Sequence, residues 1–124
     1  MLPQLSAAVH VFLCSRPTDL RKGFDSLSGL VQECFSQDVL TGHLFLFLNR
    51  CRDRIKILYF DRDGLVIWYK RLEVGCFQRV EATPGAAQIA DAAGIELSVT
   101  DLALILNGID LATVRRRKRY GRVG

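Results

Sequence analysis

Two hydrophobic rhythms divide the first half of the chain. The run "VHVFL" at 9–13 is rich in β-branched and aromatic residues and reads as a strand. The following "CSRP" ends it, because Pro17 has no N–H for a ladder and restricts Arg16 to extended geometry. From Leu20 the rhythm lengthens: Leu20, Phe24, Leu27, Val31, Cys34 and Phe35 recur at steps of three and four, which predicts an amphipathic helix from about residue 19 to 35. Thr18 or Asp19 is the expected N-cap. After the polar "QDVLTGH", three runs, "LFLFL" at 44–48, "RIKILYF" at 54–60 and "LVIWYKRL" at 65–72, predict three consecutive strands.

Beyond residue 72 the pattern weakens. "CFQRVEA" suggests one more strand, "PGAAQIADAAG" a short helix or a loop, and "DLALILN" a second helix capped by Thr100 and closed by Gly108. The expected class is α+β: a small antiparallel sheet of about four or five strands packed against an N-terminal helix, with a short C-terminal helix and a basic tail. A length of 124 residues suits one domain, here 1–114, followed by a flexible tail over 115–124. No internal repeat is visible.

The turn "DRDG" at 61–64 joins the second and third of these strands, with Asp-Gly supplying residues that tolerate the positive φ of a tight reversal. A loop of two or four residues gives the same parity of pairing, so face membership does not depend on the register. Arg54, Lys56, Leu58 and Phe60 then share a face with Leu65, Ile67, Tyr69 and Arg71, while Ile55, Ile57 and Tyr59 share the other with Val66, Trp68, Lys70 and Leu72. The first face is apolar near the turn and basic away from it.

Composition bounds the function classes. A hydrophobic fraction of 49% with 24% charged residues is that of a folded globular chain. The longest apolar run, "HLFLFL", is far short of the ~18 residues that span a bilayer, and "MLPQLSAAVHVFLC" lacks the basic start of a signal peptide, so a cytoplasmic protein with no membrane partner is expected. Cys14, Cys34, Cys51 and Cys76 are widely spaced with no Cys-x-x-Cys pair, which favours reduced, partly buried thiols over a metal site or disulfides. No cofactor motif is present.

The net charge of +4 is unevenly spread. "RRRKRYGR" carries six basic residues and no acid, leaving eleven basic against thirteen acidic residues over 1–114. Arg50 to Arg71 holds seven bases and three acids, whereas Glu81 to Asp110 holds five acids and no base. A basic middle and a basic tail suit a polyanionic partner.

Three candidate chemistries emerge. Asp61, Asp63 and Glu73 could hold a divalent cation for nuclease or strand-processing work, although turn carboxylates ordinarily face solvent. A calcium loop counted from Asp61 fails, since Val66 and Leu72 stand where Gly and Glu are needed. The second candidate is a cationic patch of Arg50, Arg52, Arg54, Lys56 and Arg71 with Tyr69 for stacking and Lys70 nearby, weighed against a solvated edge whose cations prevent aggregation. The third is "RPTDLRKGFD", where Arg21 and Lys22 would sit in the first helical turn, which the dipole disfavours for cations by ~0.3–1 kcal/mol each. They suggest an anion site at a helix start, against side chains that simply bend toward Asp19 and Asp25.

The succession "PTDLRKGFDSL", "GHLFLFLNRCRDRIKILYFDRDGLVIWYKRLEVGCF" and "LALILNGIDLATVRRRKRY" resembles the TnpB accessory proteins, products of the second open reading frame of IS-sixty-six insertion sequences. The resemblance spans about residues 8 to 120 and departs at Cys51, where another Arg is common, and over "PGAAQIADAAG". It implies a role in transposition beside a separately encoded transposase. The expected function is therefore a noncatalytic accessory that binds DNA, the transposase, or both, through Arg21, Lys22, the sheet patch and the tail cations Arg115, Arg116, Arg117, Lys118 and Arg119. A small metal-dependent nuclease and a purely protein-binding adaptor, docking through an apolar sheet face, are the alternatives, and the oligomeric state stays open.

Overall fold

A computed structural model describes residues 8–78 and 94–107. Its elements run β1 (Val11–Cys14), α1 (Phe24–Phe35), a single 3₁₀ turn (Val39–Thr41), β2 (Leu44–Leu48), β3 (Arg54–Asp61), β4 (Gly64–Arg71), β5 (Gly94–Leu97) and α2 (Val99–Asn107). The strands form one sheet in the order β4-β3-β2-β1-β5. The α+β class stands, with one refinement: the sheet is mixed. β1 lies parallel to β2 because α1 carries the chain from the end of one to the start of the other, and only the remaining pairs are antiparallel.

The central strand explains its own sequence. β2 is buried at every position, and an unbroken apolar "LFLFL" is what a strand covered on both faces requires. On one face Phe45 and Phe47 pack with Phe12, Leu58 and the α1 residues Leu27, Val31, Cys34 and Phe35. Phe45 stacks on Phe12 at 5.5 Å and meets Phe35 at 5.3 Å. On the other, Leu44, Leu46 and Leu48 pack with Ile55, Ile57, Phe77 and the α2 residues Leu102 and Ile105. Each such side chain contributes ~1.5–3 kcal/mol by leaving water. The expectation that a single helix leaves one sheet face bare changes, because α2 and Phe77 pack on that face.

Three local expectations change. Helix α1 begins at Phe24, with Gly23 as an N-cap that has no side-chain bond, so neither Thr18 nor Asp19 caps it. Helix α2 begins at Val99, and its cap is Ser98 in place of Thr100: the Ser98 hydroxyl accepts from the Asp101 amide at 3.0 Å while the Asp101 carboxylate accepts from the Ser98 amide at 3.2 Å. The fifth strand is β5, since "CFQRVEA" contributes only a bridge at Phe77 within the described residues. Gly108, expected to close α2, and the basic tail from residue 115 lie outside the described residues.

Strands β3 and β4 pair Arg54 with Arg71, Lys56 with Tyr69, Leu58 with Ile67 and Phe60 with Leu65, the two faces expected from parity. The loop is two residues long. Its positive φ falls on Arg62 (52°), and Gly64 already pairs with Asp61 in the ladder, so the glycine is not the residue that turns the chain.

A cationic groove between the β1–α1 loop and the sheet

The loop from Arg16 to Gly23 is held down at its middle. The Thr18 amide donates to the Leu48 carbonyl at 2.8 Å, and Thr18 is itself buried. Leu20 inserts beside Leu27 in the core under α1. Asp19 organises the rest of the loop: its carboxylate accepts from the Arg21 amide at 3.0 Å and from the Arg21 guanidinium at 2.7–3.1 Å, and its carbonyl accepts from the Lys22 amide. This turn uses up the carboxylate that was expected to cap the helix, which delays the helix to Phe24. Arg21 and Lys22 therefore precede α1 and do not oppose its dipole. The Arg21 guanidinium and amide hold the Asp19 carboxyl well below the usual carboxylate range.

Opposite stands the β2–β3 connection, built around Asn49. Its side-chain oxygen accepts from the amides of Asp53 (3.1 Å) and Arg54 (3.0 Å), and its side-chain nitrogen donates to Asp53 at 2.7 Å. One amide side chain thus closes a loop that must also carry Arg52 at φ 57°. The effect is directional. Arg52 faces away, donating to the Phe77 carbonyl at 3.0 Å, while its own carbonyl accepts from the Phe77 amide at 2.6 Å.

Between loop and sheet runs a groove of about 730 Å³ lined by Pro17, Thr18, Asp19, Leu20, Arg21, Asn49, Arg50, Cys51, Arg54, Lys56 and Tyr69. It holds four cations against one carboxylate, and that carboxylate is already paired with Arg21. Lys56 spans the floor: its ammonium donates to the Lys22 carbonyl at 2.9 Å and lies 4.8 Å from the centre of the Tyr69 ring. Arg50 and Arg54 are exposed and make no side-chain hydrogen bond or ion pair among the described residues. Tyr69 keeps about half of its surface in solvent, at 49%.

The structure thus joins two candidates that are separate in the sequence, the "PTDLRKG" loop and the sheet patch, and trims both. Arg21, Arg50, Arg54, Lys56 and Tyr69 converge. Lys22 contributes its carbonyl but lines the neighbouring crevice instead. Arg71 stands across from Arg54 and pairs with Glu73 at 3.0 Å; Lys70 pairs across from Ile55 on the other face; Arg52 is bound to Phe77. Arg115, Arg116, Arg117, Lys118 and Arg119 lie outside the described residues. Sequence reasoning does not find Asn49, Pro17 and Thr18 as groove residues, and only the Asn that opens "NRCRDR" carries a signal, that of a turn residue.

The acidic candidate does not assemble. Asp61 and Asp63 sit at the hairpin turn, whereas Glu73 lies past the far end of β4, ten residues on, roughly 30 Å at ~3.3 Å per residue. No group of three or more His, Cys, Asp or Glu side chains among the described residues is placed to hold a metal ion. No helix among them is long and apolar enough to cross a membrane.

Fold and groove together define a small α+β protein whose polar surface converges on a cation-lined, aromatic-floored cleft. The family described as "IS66 Orf2 like protein" matches residues 9–116, and the chain belongs to that family, whose members are accessory proteins associated with transposition of an insertion sequence. Two relatives come from Sinorhizobium fredii (strain NBRC 101917 / NGR234): Uncharacterized protein y4hO, 34% identical over 124 residues with all of both chains covered, and Uncharacterized protein y4jC, 27% identical over 112 residues, 90% of this chain and 89% of that one. No solved structure matches the chain.

Proposed function

We propose that this accessory protein acts without catalysis, by binding DNA along one strand in the groove. The observation that carries the reading is the meeting of two exposed guanidinium groups, Arg50 and Arg54, unpaired among the described residues, with a half-exposed aromatic ring, Tyr69, in one cleft. Phosphates would lie against Arg50 and Arg54, with Lys56 at the floor, and a base or sugar would stack on the open part of Tyr69. Arg21 is partly neutralised by Asp19 and serves chiefly to shape the wall. Such contacts give affinity that falls with salt and carries little base information. The tail cations Arg115 to Arg119 add a second, sequence-independent set of phosphate contacts in this reading.

The test is a salt titration of binding with purified full-length protein against element-end DNA, unrelated DNA and the transposase of the same element. Arg50→Ala with Arg54→Ala should flatten the log–log salt slope by about 1.4 on single strands and about 1.8 on duplex, two phosphates at ~0.7 or ~0.9 each. Tyr69→Ala should weaken single-strand binding by ~1–3 kcal/mol with the slope unchanged. Absence of DNA affinity at low salt, combined with binding to the transposase, would reassign the groove to docking on an acidic protein surface.

A further inference from the structure

Beside the groove, and sharing its Pro17–Asp19 wall, lies a second crevice of about 280 Å³ that reaches two thiols. Cys14 ends β1 and Cys34 sits in the last turn of α1, twenty residues apart in the chain but with sulfurs 3.6 Å apart. The Cys14 thiol donates to the Cys34 sulfur, and the Arg16 guanidinium donates to the same sulfur at 3.4 Å. Two donors thus meet on one sulfur, one of them a guanidinium placed to offset the charge that develops there in thiol–disulfide exchange. Both cysteines are free and buried, with burial pushing the Cys14 thiol up from its ordinary value, and the Arg16 guanidinium against the Cys34 sulfur marks Cys34 as the attacking group. The spacing in sequence hides the pair, because only the β1–α1 packing brings the two together.

We propose that Cys14 and Cys34 form a reversible dithiol–disulfide site, oxidised by a low-molecular-weight disulfide that reaches Cys34 through the crevice over Arg16. The Cys34 thiolate attacks one sulfur of the small disulfide, whose S–S bond breaks and whose other half leaves as a thiolate that takes up a proton. A mixed disulfide on Cys34 results. Cys14 then loses its proton, attacks the Cys34 sulfur and expels the second small thiol. Two protein thiols and one small disulfide become one protein disulfide and two small thiols. The new bond would staple the end of β1 to the end of α1 and take from Arg16 its sulfur partner, at the root of the loop that walls the groove.

The experiment uses the full chain with Cys51→Ser, which removes the exposed thiol. It is incubated with 2-hydroxyethyl disulfide at neutral pH, quenched in acid, alkylated, and read by intact mass and unreduced peptide mapping. The expected product has lost two hydrogen atoms, yields linked peptides containing Cys14 and Cys34, and regains both thiols with dithiothreitol. Cys14→Ser in the same background should stop at the mixed disulfide on Cys34. Arg16→Gln, an exposed change that leaves the core intact, should slow closure several-fold. Full alkylation of both thiols after incubation, a link to Cys76 in place of the expected one, or an unchanged rate with Arg16→Gln would overturn the proposal. None of these readouts depends on whether the groove binds DNA.

Discussion

Two connections between neighbouring antiparallel strands, Asn49–Asp53 and Arg62–Asp63, are both rich in Arg and Asp, yet they do opposite things. The first is closed by a side chain, Asn49, which satisfies the amides of Asp53 and Arg54 and points Arg50 and Arg52 to opposite sides of the sheet. The second is closed by backbone alone, with Asp63 donating to Asp61 around Arg62, and its charged groups stand in solvent. The difference is one of neighbours. The Asn49 loop lies under the β1–α1 loop, which the Thr18 to Leu48 hydrogen bond holds over it, whereas the hairpin tip is at the other end of the same strands. Charge content does not make a site. A second wall does.

Substitutions should separate the two connections. Asn49→Ala should produce the largest effect, since it removes three hydrogen bonds, two of them to backbone amides of the loop; about 2 kcal/mol of stability should be lost in urea unfolding, and the DNA binding proposed for the groove should weaken with it. Should the loop hold its shape through the strands alone, the loss would stay within a few tenths of a kcal/mol. At the hairpin the sign reverses. Arg62→Gly relieves a left-handed backbone angle, so stability should stay level or rise by up to about 1 kcal/mol. The smallest effect belongs to Asp61→Asn with Asp63→Asn: these exposed carboxylates should tolerate neutralisation within about 0.5 kcal/mol, and transposition of the element in cells should continue at its ordinary frequency. Loss of transposition with a folded double variant would restore the acidic turn as a functional site.

Much of the sheet is legible in the sequence because period and parity are local. The strands expected at 44–48, 54–60 and 65–72 are Leu44–Leu48, Arg54–Asp61 and Gly64–Arg71, and the faces of β3 and β4 fall as pairing parity requires. Helix α1 is legible in its apolar spacing but not in its start, since Asp19 has two possible uses and Arg21 takes it. β5 escapes because "GIEL" is too short to show a period and lies at the end of a segment rich in small residues. At the start of α2, Thr100 looks as good a cap as Ser98, although only Ser98 has an acid three positions on to complete a reciprocal cap.

The sequence by itself determined the class of fold, the order of its main elements, the family, and the concentration of positive charge near the middle of the chain. Those properties live in composition, spacing and motif order, which the chain carries in any conformation. The tertiary structure alone decided that Arg21, Arg50, Arg54, Lys56 and Tyr69 share one cleft while Arg52, Lys70 and Arg71 stand outside it, and that Cys14 meets Cys34. Both outcomes follow from one parallel pairing, β1 beside β2, because the helix that makes this crossover must lie across the sheet and brings its loop and its last turn against strands distant in sequence.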